Sequence, residues 1–329
     1  MRYFLGVDVG NHKTHALVAD ESGLAVGFAR AGTASQEVIG YAGQRAVLEE
    51  VIQNALHPLG LTVGDLAGAG LGMAGYDWPS QRQDHLQVLA QLGLACPLEL
   101  VNDSLLGLYA GSTRGWGVAL VAGTGENCWG IDRTGRLGRV TGNGDMAGEF
   151  GGGGSIVRHA VAQVAKAWQQ RGPATRLTQV FMQKANAPDP LTLFEYLTIG
   201  TYQPALDDVK LVFQLAREGD RVAGEIVLWA ARELADLAIG VIRQIDLQDQ
   251  EFEVVLVGSI WKVGELLIAP TRRAIQACAP NAVLLQLPAG PAVGGVVLGM
   301  QRAGVDGAAL RPRLVETACQ ITGEASASE

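Results

Sequence analysis

Three short stretches set an acidic or amide side chain beside glycine, Asp8 to Thr14 (DVGNHKT), Gly123 to Asn127 (GTGEN) and Gly148 to Gly154 (GEFGGGG), and a fourth, Asn102-Asp103-Ser104, pairs an amide with an acid. Glycine turns expose backbone N–H groups, which hold phosphate without any basic side chain. Gly10, Asn11, His12, Lys13 and Thr14 offer one such turn, and Gly123, Thr124 and Gly125 a second. Asp8 ends the apolar run before the first turn, where a carboxylate suits a hydrated Mg²⁺ beside a polyphosphate; it equally suits the capping of its own hairpin. Lys13 reaches a phosphate as a point charge or stays solvated. Asp103 has the chemistry of a general base and also that of a helix N-cap. An aspartate is ionised at pH 7 without any environmental shift.

These stretches are joined by apolar runs. Tyr3–Val9, Thr14–Ala19, Leu24–Arg30, Gly68–Ala74, Leu98–Val101, Trp116–Ala122, Asn127–Ile131, Phe252–Val257 and Leu284–Leu287 read as strands. Ala42–Leu56, Ser80–Leu92, Leu105–Ala110, Ser155–Gln170, Arg221–Ile245 and Pro291–Met300 read as helices, the Arg221 helix being central and packed. Asp20-x-x-Gly23 and Asp132-x-x-Gly135 each follow a strand, a glycine turn and a second strand, which points to a duplicated hairpin unit. Trp116 and Trp129 fall in strands and are expected in the core. Residues after about Gly307 are expected to form a frayed terminal helix or a tail.

The chain has 329 residues, 25 Lys and Arg against 33 Asp and Glu, and a net charge of −8. The length predicts two domains with a sizeable core, and the negative charge argues against a nucleic-acid partner. Cys96, Cys128, Cys278 and Cys319 lack CxxC spacing, so a zinc site, an all-cysteine cluster within one chain and a disulfide framework are not expected. The opening MRYFLGVDVGNHKT is not expected to be a signal peptide, because Asp8 interrupts it, and no apolar run reaches membrane-span length. A soluble cytoplasmic protein is expected. There is no GxxxxGK[ST], no GxGxxG opening a helix after the first strand, no GxSxG and no HExxH.

Taken in order, the motifs resemble those of the sugar kinase, Hsp70 and actin superfamily, and within it the N-acetylglucosamine kinase and BadF/BadG-type ATPase family. GVDVGNHKTHALVAD and VAGTGENCWGI resemble its two phosphate motifs, and Asn102-Asp103-Ser104 its ND motif. GNGDMAGEFGGGGSIVRHAV resembles its GDEGSG segment, VVLVGSIWK its adenosine motif and PAVGGVVLGM its closing helix. The resemblance spans about residues 3–302 and implies an α/β fold of two ribonuclease H-like domains with a cleft between them. The expected division is 1–114 and 115–291, the latter with a helical insertion, with the C-terminal helical segment from 292 to 329 packing back on the first. It implies ATP and Mg²⁺ as cofactors, an amino sugar as acceptor, a homodimer, Asp103 as general base, and Gly258 and Ser259 along the adenine. Trp261 would either cover the base or join the core. His12 and His15 flank the first phosphate turn: His12 is expected to touch phosphate, and His15 either to do so or to stand exposed on its strand.

The implied sugar pocket is Ser35, Gly75, Asn102, Asp103, Glu126, Asn127 and Glu149. It departs from the family pattern at Ser35 (an amide is usual), Glu126 (a small hydroxyl), Glu149 (one methylene longer) and Phe150 (in place of a carboxylate). Glu126 is expected either to pair with an amine such as that of glucosamine or to face solvent at the rim. Two other functions remain compatible: a BadF-type activator ATPase, which the wide cysteine spacing disfavours, and a non-catalytic sugar or nucleotide sensor.

Overall fold

The structure, a computed structural model, describes residues 1–323. The chain opens with β1 (Tyr3–Val9), β2 (Thr14–Asp20), β3 (Ala25–Ala31), α1 (Gln36–Leu56), β4 (Leu66–Met73), α2 (Arg82–Ala90), β5 (Leu98–Asn102) and α3 (Asp103–Gly111). It continues with β6 (Gly117–Ala122), β7 (Glu126–Ile131), β8 (Leu137–Arg139), α4 (Gly153–Trp168), α5 (Leu177–Ala185), α6 (Pro190–Ile199), α7 (Val209–Arg217) and α8 (Arg221–Gln244). β9 (Phe252–Val257), α9 (Glu265–Cys278), β10 (Ala282–Gln286), α10 (Ala292–Arg302) and α11 (Gly307–Thr322) complete it.

The strands form two five-stranded sheets, ordered β3-β2-β1-β4-β5 and β8-β7-β6-β9-β10. In each, three antiparallel strands are followed by two parallel ones, so the second sheet repeats the first. The duplicated turn repeats down to its hydrogen bonds. Asp20 Oδ1 accepts from Ser22 N, Ser22 Oγ and Leu24 N; Asp132 Oδ1 accepts from Thr134 N, Thr134 Oγ1 and Arg136 N. An aspartate that satisfies its own turn in this way fixes where the third strand begins.

β1 and β2 are buried almost throughout, as a continuous apolar run requires when helices cover both faces. α8 fills the second core along one stripe, Val222, Ile226, Ala230, Leu234, Ala238 and Val241. Asp220 starts that helix by accepting the Ala223 N–H at 2.9 Å. α10 packs on β1, β4 and α3 with almost no side chain between. A Cβ on Gly6 would fall 2.1 Å from the Ala292 carbonyl oxygen, and one on Gly294 2.0 Å from that of Leu106. The glycine-rich PAVGG run is thus what lets one helix backbone rest against both the first sheet and α3.

Several elements differ from expectation. α1 starts at Gln36, ahead of Ala42, because Gly40 breaks helical geometry (φ 67°) without ending the element. β8, α5, α6, α7 and α9 are not among the expected elements. Of the two expectations for the C-terminal segment, helix or tail, the helix is present from Gly307 to Thr322, held to α10 and its surroundings by the buried Leu314 and Ala318; the terminal EASASE lies outside the described residues. No helix among the described residues is long and apolar enough to cross a membrane.

Candidate active site

The carboxyl ends of β1, β4, β5, β6 and β9 converge on one cavity of about 570 Å³ that carries residues of both sheets on its wall. Crevices at the carboxyl ends of parallel strands are where α/β folds bind ligands. Asp8, Gly10, Asn11, His12, Lys13, Gly75, Asn102, Asp103, Gly123, Thr124, Gly125, Glu126, Asn127, Gly258 and Ser259 line it. Both glycine hairpins therefore face the same space. The first closes through Gly10 N to Lys13 O at 2.9 Å, the second through Gly123 N to Gly125 O at 2.8 Å. Gly258 holds a φ of 110°, and a Cβ there would meet the Ala122 carbonyl oxygen at 2.3 Å.

Three sequence candidates are not on this wall. Thr14 is buried, and its Oγ1 accepts the Ala34 N–H at 2.9 Å. Ser35 is buried at the start of α1, with no partner for its Oγ among the described residues. Glu149 is buried and accepts from Thr141 N (2.6 Å), Thr141 Oγ1 (2.8 Å) and Gly144 N (3.1 Å). Its carboxylate shapes the loop that puts Gly142 and Gly144 on the wall. Conversely, Glu37, Asp77 and Pro291 line the cavity without having been singled out. Pro291 belongs to the PAVGG run, and Asp77 follows the small-residue loop by two positions, but neither carries a signal of its own.

The ND pair divides its labour. Asn102, not Asp103, caps α3: its Oδ1 accepts the Ser104 N–H at 3.0 Å. Asp103 is the first helical residue and lies in the cavity wall, with Oδ1 also 2.9 Å from Ser104 N. Its ionisation differs from that of an ordinary carboxylate. Burial, with Asp8 and then Asp77 nearby, raises its pKa from 3.8 to about 7, against the pull of Ser104. Asp77 is raised to about 6 by burial and by Glu37, while Arg139 and a 3.1 Å bond from Asn102 Nδ2 oppose the shift. Carboxylates gathered this closely favour a cation between them. Among the described residues no group of three or more His, Cys, Asp or Glu is arranged to hold a metal. The donor set fits Mg²⁺, which is held by one or two carboxylates plus water and phosphate.

Glu126 is tied to the fold. Its Oε2 accepts the Gly152 N–H at 2.7 Å, and burial raises its pKa. Together with Gly153 N to Gly123 O and Gly154 N to Thr124 O, both 2.9 Å, it docks the second hairpin on the N-terminus of α4. It is therefore neither a solvent-facing rim residue nor wholly available to an amine. His15 is not strand-exposed: it is buried against Phe28, and burial with Lys13 and Arg30 lowers its pKa to about 4, which leaves it neutral at pH 7. Trp261 is core, with Nε1 donating to the Leu120 carbonyl at 3.2 Å. Trp129 is buried as expected but also borders a second cavity.

With this geometry in place, the comparisons are informative. The N-acetyl-D-glucosamine kinase of Dictyostelium discoideum is 29% identical over 318 residues, covering 90% of this chain and 97% of its own. The N-acetylmuramic acid/N-acetylglucosamine kinase of Clostridium acetobutylicum is 24% identical over 305 residues, covering 91% and 98%. Among solved structures, a candidate N-acetylglucosamine kinase from Chromobacterium violaceum aligns with a TM-score of 0.67 at 22% identity, covering 91% of this chain and 99% of its own. A ROK family glucokinase from Streptomyces griseus aligns at 0.54 and 18%, covering 97% and 99%. These likenesses show the two-domain actin/hexokinase-type fold of sugar kinases. The family model for BadF/BadG/BcrA/BcrD ATPases matches residues 5–271, and the chain belongs to that family.

Proposed function

We propose that this protein is an ATP-dependent carbohydrate kinase that transfers the γ-phosphoryl group to a hydroxyl of N-acetylglucosamine or a related amino sugar. The single observation that carries this reading is the placement of Asp103. It faces the same cavity as both glycine hairpins, and its proton affinity is matched to neutral pH. The names of the two sequence relatives support the acceptor class.

In this reading the backbone of Gly10 to Lys13 and of Gly123 to Gly125 holds the phosphates, and Gly258 and Ser259 let adenosine lie against the end of β9. Asp8 holds a hydrated Mg²⁺, which supplies charge neutralisation on the phosphates. Asn102 fixes the start of α3 and bonds Asp77, so that Asp103 points at the acceptor. Asp103 takes the hydroxyl proton as the new O–P bond forms and ADP departs. Closure of the two lobes excludes water, so that phosphate passes to the sugar and not to solvent. We infer lobes of 1–114 and 115–291, with residues 292–323 packed on the first. A homodimer in the cytoplasm is part of the same reading.

The test is a ³¹P NMR and mass analysis of N-acetylglucosamine incubated with Mg·ATP and the protein. The reading predicts one sugar monophosphate per ADP formed. ATP consumption that no sugar in a broad panel accelerates would refute it.

A further inference from the structure

A second cavity, of about 780 Å³, lies beside the cleft and meets it at Asp77 and Asn102, which line both. Its distinguishing feature is Arg139, from the short edge strand β8. The guanidinium lies between two indoles, 4.3 Å from the centroid of Trp78 and 5.0 Å from that of Trp129. Stacking of this kind fixes the plane of the fork and leaves only its edges for ligands. Its charge acts on Asp77 at the mouth, and its Nη1 is buried with no hydrogen-bond partner among the described residues. The Trp129 Nε1–H is in the same condition, on a side chain only 7% exposed.

Two buried donors without acceptors at one cavity are costly to maintain, and the chemistry that satisfies both is an anionic oxygen pair. The local charge agrees. Arg82, Arg139 and Arg302 line the chamber against Asp77 and Glu99, and Glu99 is already paired with Arg302. Asp77, at the mouth, receives a bond from Asn102. Trp78 is 43% exposed and forms the outer leaf of the stack on Arg139, so ligand access to the two buried donors requires that indole to move.

We propose that this chamber is a carboxylate subsite, with Arg139 and the Trp129 Nε1 as its ligands. The carboxylate is carried either by a substituent of the acceptor sugar reaching past Asp77 or by a small organic acid bound beside it. The first source rests on the sugar kinase reading; the subsite itself does not.

The test compares three probes by calorimetry and tryptophan fluorescence: N-acetylglucosamine, N-acetylmuramic acid (the same ring with a lactyl ether) and free D-lactate. The wild type is expected to bind N-acetylmuramic acid at least tenfold more tightly than N-acetylglucosamine, with a fluorescence change from Trp78. Arg139→Met should erase that ratio, read as equal affinity for the two sugars, with N-acetylglucosamine still bound. Arg139→Lys, which keeps the charge and packing volume, should lose most of it, because a point charge does not reproduce the stacked fork. Lactate that binds the wild type, loses affinity in both variants and leaves N-acetylglucosamine affinity unchanged would identify the free acid as the source. If neither acid binds, or both bind the variants as well as the wild type, the subsite is overturned. Loss of acid binding in Arg139→Met together with no sugar phosphorylation by the wild type would instead overturn the kinase reading alone.

Discussion

Replacing Asp103 with Asn should stabilise the free protein while removing its activity, and the stabilisation should grow with pH. Burial and the neighbouring Asp8 and Asp77 raise the Asp103 pKa from 3.8 to about 7. The folded state therefore binds this proton more tightly than the unfolded chain does. Its contribution to stability is complete at low pH and is lost as pH rises through 7. A shift of about 3 units at about 1.4 kcal/mol per unit is at most about 4 kcal/mol by pH 8 and about 2 kcal/mol near pH 5. The side chain of Asn has nearly the same shape, keeps an oxygen for the Ser104 N–H and carries no charge at either pH. For a chain of this length, about 4 kcal/mol corresponds to a rise in Tm of about 6 °C if the two lobes melt together. The assay is urea and thermal unfolding of wild type and Asp103→Asn in metal-free, nucleotide-free buffer at pH 5 and pH 8. An advantage for the variant at pH 8 that exceeds the one at pH 5 by more than about 1 kcal/mol is the expected result. Equal stability of the two proteins at pH 8, or an advantage that does not change with pH, would refute the electrostatic reasoning.

Other positions make independent predictions. Glu253, buried on β9, accepts from Ser112 Oγ at 2.6 Å, Thr113 N at 2.8 Å and Thr113 Oγ1, and ties the end of α3 to the second sheet. These bonds lower its pKa, so its contribution is present above the unfolded value and lost as pH falls through the folded one. Glu253→Ala should cost about 2 kcal/mol at pH 7 in urea unfolding, with the gap closing at acid pH below about 4. Gly6→Ala forces a Cβ to within 2.1 Å of the Ala292 carbonyl and should cost about 3 kcal/mol, read as a lower urea midpoint. Gly258→Ala, at φ 110°, should weaken ATP binding at least about tenfold by calorimetry with sugar affinity preserved.

What the sequence made legible was local. The two hairpins could be matched because an aspartate satisfying its own turn leaves a fixed Asp-x-x-Gly spacing, which recurs at Asp20 and Asp132. The glycine turns were recognisable because each closes within a few residues through its own backbone, and they do face one cavity. Roles set by distant neighbours were not legible. Nothing near Asp103 in the chain shows that Asp8 and Asp77 will share its space, so its raised proton affinity was invisible. The Asn-Asp order at residues 102 and 103 does not say which side chain caps the helix; the geometry gives the cap to Asn102. Trp78, Trp129 and Arg139 come from three separate elements and meet only in the folded protein. α5, α6 and α7 are nine or ten residues each. Pro188, Pro190 and Gly200 interrupt the α5–α6 region, whereas α7 does carry apolar residues at helical spacing, Val209, Val212, Phe213 and Leu215.

The most direct measurement is sugar-dependent ADP release under Mg·ATP, for wild type and Asp103→Asn side by side, with ATP affinity of each checked by calorimetry. The account predicts robust N-acetylglucosamine-stimulated turnover in the wild type and a loss of at least about a hundredfold in the variant, with ATP binding retained. Wild-type-like turnover in Asp103→Asn would contradict it.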